Sequence, residues 1–176
     1  MSTLYTIGHS TRDLADFSRV LQAHELHVLA DIRAFPMSRR HPQYNREALE
    51  LWLPEIGLEY RWVQALGGRR KKIMDESPNI ALRADSFRNY ADYMLTPPFQ
   101  NAVAELVAVA EAKRIAIMCA ERVYFQCHRM MVSDYLVAHG HHVLHIADEK
   151  PPREHQLMKE ARVVDGRLIY KGDRLF

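Results

Sequence analysis

The chain has 176 residues, 48% hydrophobic and 26% charged, which suits one globular domain with its own core and excludes a disordered or fibrous polypeptide. Its 24 Lys and Arg against 22 Asp and Glu leave a net charge of +2 with 10 histidines held neutral, so a phosphate-bearing or nucleic-acid partner is permitted but not demanded. No apolar run approaches the ~20 residues that cross a bilayer, and the opening MSTLYTIGHSTRDL is too short and polar for a signal peptide. Two cysteines fit a reducing cytoplasm better than a secreted disulfide scaffold. A cytoplasmic protein with no membrane partner is expected; nothing in the pattern sets an oligomeric state.

Residues 3–9, TLYTIGH, are β-branched and aromatic and predict a strand. Leu14, Phe17, Val20 and Leu21 then recur at helical spacing, with Ser10 or Thr11 available as the cap. LHVLADIR (26–33) predicts a second strand, followed by a proline-containing loop over 34–45. A helix is expected from Asn45 toward Gly57, ended early by Pro54. LEYRWVQAL (58–66) alternates like a strand, and 67–86 is a long polar loop of the kind that is often functional. Helices are predicted in FRNYADYM and in PPFQNAVAELVAVAEAK. RIAIMCA (114–120) is the most apolar strand and therefore central. A helix from Cys127 to Gly140, a strand over 141–148 and a hairpin turning at Asp165-Gly166 complete the chain. The alternation predicts a single α/β domain over residues 1–176, with a mainly parallel sheet, helices on both faces and a small C-terminal hairpin.

Ligands in such folds bind at the carboxyl ends of the strands, so three segments should converge there. The first is Gly8-His9-Ser10, where Ser10 reads as a cap and His9 as an acid/base candidate. The second runs from Asp31 to Arg40, where Asp31 and Arg33 share one face and Ser38, Arg39 and Arg40 follow in a basic, hydroxyl-bearing loop. The third is CAERVYFQCHR, with Cys119 and Glu121 closing a strand and Cys127, His128 and Arg129 opening a helix. A helix N-terminus attracts anions and lowers a thiol pKa, and Arg129 offers a bidentate fork. The two cysteines can equally be core. A metal site on Cys119, Cys127, His128 and Glu121 is disfavoured, because the cysteines lack knuckle spacing and adjacent side chains diverge. No cofactor or metal is expected. Gly67 and Gly68 permit close backbone approach before four consecutive basic residues. Tyr44, Tyr60, Trp62, Tyr90 and Tyr93 are candidates for stacking on bases, although YADYM also reads as core.

Taken together, TIGHS, ADIRAFPMSRR, YRWVQALGG, YADYM, MCAE, CHR and GHHVLHI resemble the bacterial family known as domain of unknown function 488, over about residues 5–147. The remaining residues, 148–176, form a C-terminal extension. That resemblance implies kinship and no particular activity. The chain is also distantly similar to rhodanese-like domains, where an early strand ends in Asp-x-Arg and a central strand ends in the catalytic cysteine, as Asp31-Ile32-Arg33 and Cys119 do here. The loop after Cys119 is longer than theirs, lacks glycine and carries Glu121, whose charge disfavours a neighbouring thiolate.

Two enzymatic readings follow. In the first, Arg33, Arg39 and Arg129 hold the phosphate of a nucleotide or nucleic acid, with Ser38, His9, Ser10, Gly67 and Gly68 lining the site. Glu121 or Asp31 then acts as general acid/base, with His128 assisting, to cleave a glycosidic or phosphoester bond. In the second, Cys119 is a nucleophile, Cys127 resolves it, and His128 and Arg129 activate it. A non-catalytic nucleic-acid binding module is the third reading.

Overall fold

The computed structural model describes residues 1–172; the last four residues of the expected domain, 173–176, lie outside the described residues. The elements in chain order are β1 (Thr3–Gly8), α1 (Leu14–Ala23), β2 (Val28–Asp31), α2 (Arg46–Trp52), β3 (Glu59–Trp62), α3 (Asp85–Tyr93) and α4 (Pro97–Ala110). There follow β4 (Ile115–Cys119), α5 (Arg129–Ala138), β5 (His142–Ile146), β6 (Arg153–Glu154), β7 (Ala161–Val164) and β8 (Arg167–Tyr170). Six strands form one sheet in the order β3-β2-β4-β1-β5-β6, and β7 pairs with β8 in a separate hairpin. The first five are parallel, and β6 adds an antiparallel edge against β5. The expected mainly parallel α/β sheet with a terminal hairpin is the fold found.

Strand period two divides the core. Ile115, Ile117 and Cys119 of β4 pack on one face with Tyr90 of α3, Phe99 and Leu106 of α4 and Met131 of α5. Ala116 and Met118 face the other way, onto Phe17 and Leu21 of α1 and Leu49 of α2. Every residue of β4 is buried, as a strand flanked by β2 and β1 and covered on both faces must be.

Local chemistry explains most boundaries. Asp13, not Ser10 or Thr11, caps α1 by accepting the Asp16 N–H at 2.8 Å. Ser10 adopts the left-handed region at φ 53°, and its N–H donates to Ala120 O at 3.0 Å, extending the link between the ends of β1 and β4. α2 stops at Trp52, and Pro54 begins a short 3-10 turn that Gly57 ends at φ 84°. The hairpin turns at Asp165 (φ 52°) and Gly166 (φ 74°), two positive values that fit a type I′ turn. Strands are a residue or more shorter than predicted, and α5 begins at Arg129 instead of Cys127. The two-residue β6 was not anticipated; so short a segment carries no alternation to read.

The hairpin is part of the core. Tyr170 is fully buried, its N–H donates to Asn79 Oδ1 at 3.0 Å, and its hydroxyl donates to Asp134 Oδ2 at 2.9 Å. Asp134 Oδ1 also accepts from His155 Nε2 at 2.7 Å. His155 Nδ1 in turn meets His145 Nε2 at 2.8 Å, and His145 Nδ1 meets the Thr6 hydroxyl at 2.5 Å. A continuous polar chain thus joins β1, β5, α5 and β8 inside the protein.

Candidate functional site: a two-cysteine cleft at the carboxyl edge of the sheet

The three predicted segments do converge. His9 N–H donates to Cys119 O and Ile32 N–H to Met118 O, both at 3.0 Å, which draws the ends of β1, β4 and β2 together. Gly8 makes this possible: a Cβ there would lie 1.8 Å from Glu121 O, so only glycine lets the 119–122 backbone cross so closely. Above these ends lies a cleft of ≈ 640 Å³ whose walls include His9, Ser10, Arg33, Ser38, Gly68, Cys119, Glu121, Cys127 and His128.

Asp31 is not among those walls. It is fully buried and bound to Arg33 through Nε (2.9 Å) and Nη2 (2.7 Å), while Tyr60 donates its hydroxyl at 2.6 Å. With both carboxylate oxygens engaged, it is a positioning group and not a general acid/base. Arg33 spends its other Nη2 hydrogen on Tyr44 O at 2.6 Å and one Nη1 hydrogen on His9 Nε2 at 3.3 Å. One N–H of Nη1 remains of the guanidinium's five donors, and Arg33 lines the cleft. His9 Nδ1 meets Ser10 O at 2.8 Å and its ring stacks on Tyr44 at 4.2 Å. Burial holds its pKa down to about 4, so it is neutral near pH 7, with Nδ1–H donating and Nε2 accepting.

The sulfur atoms of Cys119 and Cys127 are 3.0 Å apart, and both cysteines are free. Cys119 is 2% exposed, whereas Cys127 is half-buried. Cys127 Sγ accepts the Arg129 backbone N–H at 3.4 Å, in the place of a helix cap at the start of α5. The hydrogen bond from Cys119, the Arg129 charge and that N–H together bring the Cys127 pKa down to about 7, against the opposing cost of burial. The partner pays in the reverse sense: its bond to Cys127 and its burial push the Cys119 thiol well up. In the thiol reading of the sequence, the second of the two, Cys119 is the nucleophile and Cys127 resolves it. Burial separates the two sulfurs: Cys127 is the more accessible and the one whose pKa is brought down, so it is better placed than Cys119 to carry the thiolate.

Arg129 corrects a second expectation. It is 1% exposed and does not line the cleft. Its Nη2 donates to Glu121 O at 3.0 Å and Arg122 O at 3.2 Å, clamping the loop backbone, and its buried Nε has no partner among the described residues. No carboxylate pairs with it among the described residues, and a buried cation without a counter-charge is costly. Its charge instead favours the ionised form of Cys127, whose pKa it helps to lower.

His128 donates Nε2–H to Ile32 O at 2.8 Å, and burial holds its pKa to about 4. Nδ1 therefore presents a lone pair, and it faces Gly68, where a Cβ would lie 2.5 Å away. Gly67 serves packing instead, against Ala34 Cα. Ser38 is fixed by donating its N–H to Asn45 Oδ1 at 2.6 Å and accepting the His41 N–H at 3.0 Å. Glu121 is exposed at the rim. Arg39 is exposed and lies outside the cleft walls; Arg69 and Arg122 occupy them instead, with Arg69 lying over the Phe35 ring at 5.4 Å. Phe35, Met37 and Phe87 add apolar surface. The expected tyrosine platform is mostly core: Tyr44, Tyr90 and Tyr93 are 0%, 1% and 9% exposed, and the Tyr90 and Tyr93 hydroxyls donate to Leu66 O and Ala65 O. Among the described residues no group of three or more His, Cys, Asp or Glu is arranged to hold a metal ion. Among the described residues no helix is long and apolar enough to cross a membrane.

Fold and site together define an α/β protein with a cysteine-pair cleft at the carboxyl edge of a mainly parallel sheet. The chain belongs to the family described as domain of unknown function DUF488, whose pattern matches residues 13–136. The TIGHS and GHHVLHI motifs lie outside that span, at either side of it. No curated protein and no solved structure matches the chain; the rhodanese-like layout rests on the strand-end pattern alone.

Proposed function

We propose that the protein is a cysteine-dependent hydrolase acting on a phosphoester of a nucleotide or nucleic acid. The observation that carries this reading is the buried Arg129, which has no carboxylate partner among the described residues and lies beside a half-buried sulfur at the start of α5. That arrangement favours a thiolate at neutral pH, and thiolates are the reactive form. The free N–H of Arg33 with Arg69 and Arg122 supplies positive charge for the phosphate, and Phe35, Met37 and Phe87 supply apolar surface for a base.

In the proposed reaction Cys127 Sγ attacks phosphorus and the ester P–O bond breaks. The electron pair goes to the leaving oxygen, which takes a proton from Glu121. Water then attacks the thiophosphoryl intermediate, Glu121 takes its proton, and the P–S bond breaks to restore the thiolate. Cys119 stabilises that thiolate in both steps by donating its S–H. Sulfur transfer is the second reading, favoured by the 3.0 Å contact between two thiols; it shares the nucleophile but would leave a persulfide.

The test is turnover of aryl phosphate, nucleoside monophosphates and short single-stranded oligonucleotides. Cys127→Ser should cost at least about a thousandfold in kcat and Glu121→Gln about a hundredfold, both with native folding. Full turnover by the Cys127→Ser protein would overturn the reading.

A further inference from the structure

We infer that Cys127 is an oxidation site and Cys119 its built-in resolving thiol, so that peroxide converts the open cleft into a reversible Cys119–Cys127 disulfide. The inference needs only the sulfur geometry and not the phosphoester chemistry. The two Sγ atoms are 3.0 Å apart and need to close by about 1 Å to bond. Cys119 is the last residue of β4, whereas Cys127 lies in the connection at the foot of α5, and that connection is irregular apart from a single 3-10 turn at 124–126. Such a connection absorbs a small displacement more readily than a helix or strand does.

The burial difference sets the order of events. Both cysteines line the cleft, but Cys127 is half-buried, so a molecule the size of hydrogen peroxide reaches it, whereas Cys119 is only 2% exposed. Peroxide therefore meets Cys127 first. The thiolate attacks one peroxide oxygen, the O–O bond breaks, and hydroxide leaves and is protonated to water, giving a sulfenic acid on Cys127. Cys119 sulfur then attacks the Cys127 sulfur, the S–O bond breaks, and the departing hydroxide takes the Cys119 proton to form a second water. The cysteine pair has lost two electrons and two protons, and peroxide has gained them. An external dithiol returns the pair by exchange through a mixed disulfide. Cys119 thus keeps Cys127 from the irreversible sulfinic and sulfonic states. While the bond stands, the Arg129 backbone N–H and guanidinium face a neutral sulfur, and the cleft has no nucleophile.

The experiment treats the full chain with hydrogen peroxide, traps sulfenic acid with dimedone and reads mass and free thiols. The wild-type protein should lose both thiols together, fall in mass by two hydrogens and carry no dimedone. Dithiothreitol should restore both thiols. Thiol loss should run at least about tenfold faster in the folded protein than in urea, where the thiolate loses its support. Cys119→Ser should instead hold dimedone on Cys127 and progress to sulfinate. Where that variant fails to fold, peptide mapping of the wild-type protein still decides, through a cross-linked peptide containing both cysteines. Dimedone or sulfinate accumulating on Cys127 of the wild-type protein, with Cys119 still open to alkylation, would overturn the inference. No substrate is involved, so either result leaves the hydrolase reading to its own test.

Discussion

Asp31 and Glu121 are both acidic and both sit at strand ends, yet they do different work. Asp31 is the counter-charge of a nearly buried arginine, and Glu121 is solvated. Asp31→Ala strands the Arg33 cation in the interior, and removal of one partner of a buried pair costs about 3–5 kcal/mol. Glu121→Gln should change stability by less than about 0.5 kcal/mol. Urea midpoints of the two variants check this, and equal midpoints would refute the division. Half of this was legible in the sequence, because period two places Asp31 and Arg33 on one face of a strand. The other half was not: Tyr60 and His9, which complete the cluster, reach it from β3 and from the end of β1. Arg129 misled for the same reason. Its place at a helix start suggested a ligand contact, but its direction is set by the carbonyls of Glu121 and Arg122, and nothing local encodes it.

The loop between β4 and α5 is held at both ends by unusual contacts. At its start it presses on Gly8; further along, Tyr124 stacks on His145 at 3.7 Å, and its carbonyl lies 3.8 Å from Cys127 Sγ. Gly8→Ala should be among the most damaging changes, costing more than about 3 kcal/mol, because its Cβ meets backbone that cannot move aside. Gly140→Ala meets nothing within 4 Å but holds φ at +88°, so its cost should be near 1 kcal/mol. Thermal denaturation of the pair measures the contrast. The elements themselves were readable because apolar residues repeat at 3.6 in the helices and at 2 in the strands. Gly8 read only as part of the end of the first strand; that a second backbone crosses it is a long-range fact.

At the scale of the whole molecule, buried neutral histidines make the fold acid-sensitive. Burial holds His9 and His128 to about 4 and His145 to about 3, against an ordinary 6.5. Between those limits the unfolded chain binds protons that the folded chain does not, so stability falls as pH falls through that window. From pH 7 to pH 5 the loss is roughly 2 kcal/mol for each histidine, seen as a lower urea midpoint; an unchanged midpoint would contradict it. The chain from Thr6 through His145, His155 and Asp134 to Tyr170 joins residues spread from one end of the sequence to the other. Each reads locally as an ordinary strand, loop or helix residue, so the network was invisible before the fold was known.

The central claim is that Cys127, supported by Arg129 and Cys119, is the thiolate of this cleft. The most direct test is the rate of iodoacetamide alkylation at each cysteine of the native protein across pH 5–10, read by peptide mass spectrometry. Cys127 should react with a midpoint near pH 7, slowing below it as the sulfur is protonated, while Cys119 stays unmodified. Reaction at Cys119 first, or a Cys127 midpoint at an ordinary thiol value near 9, would contradict the account.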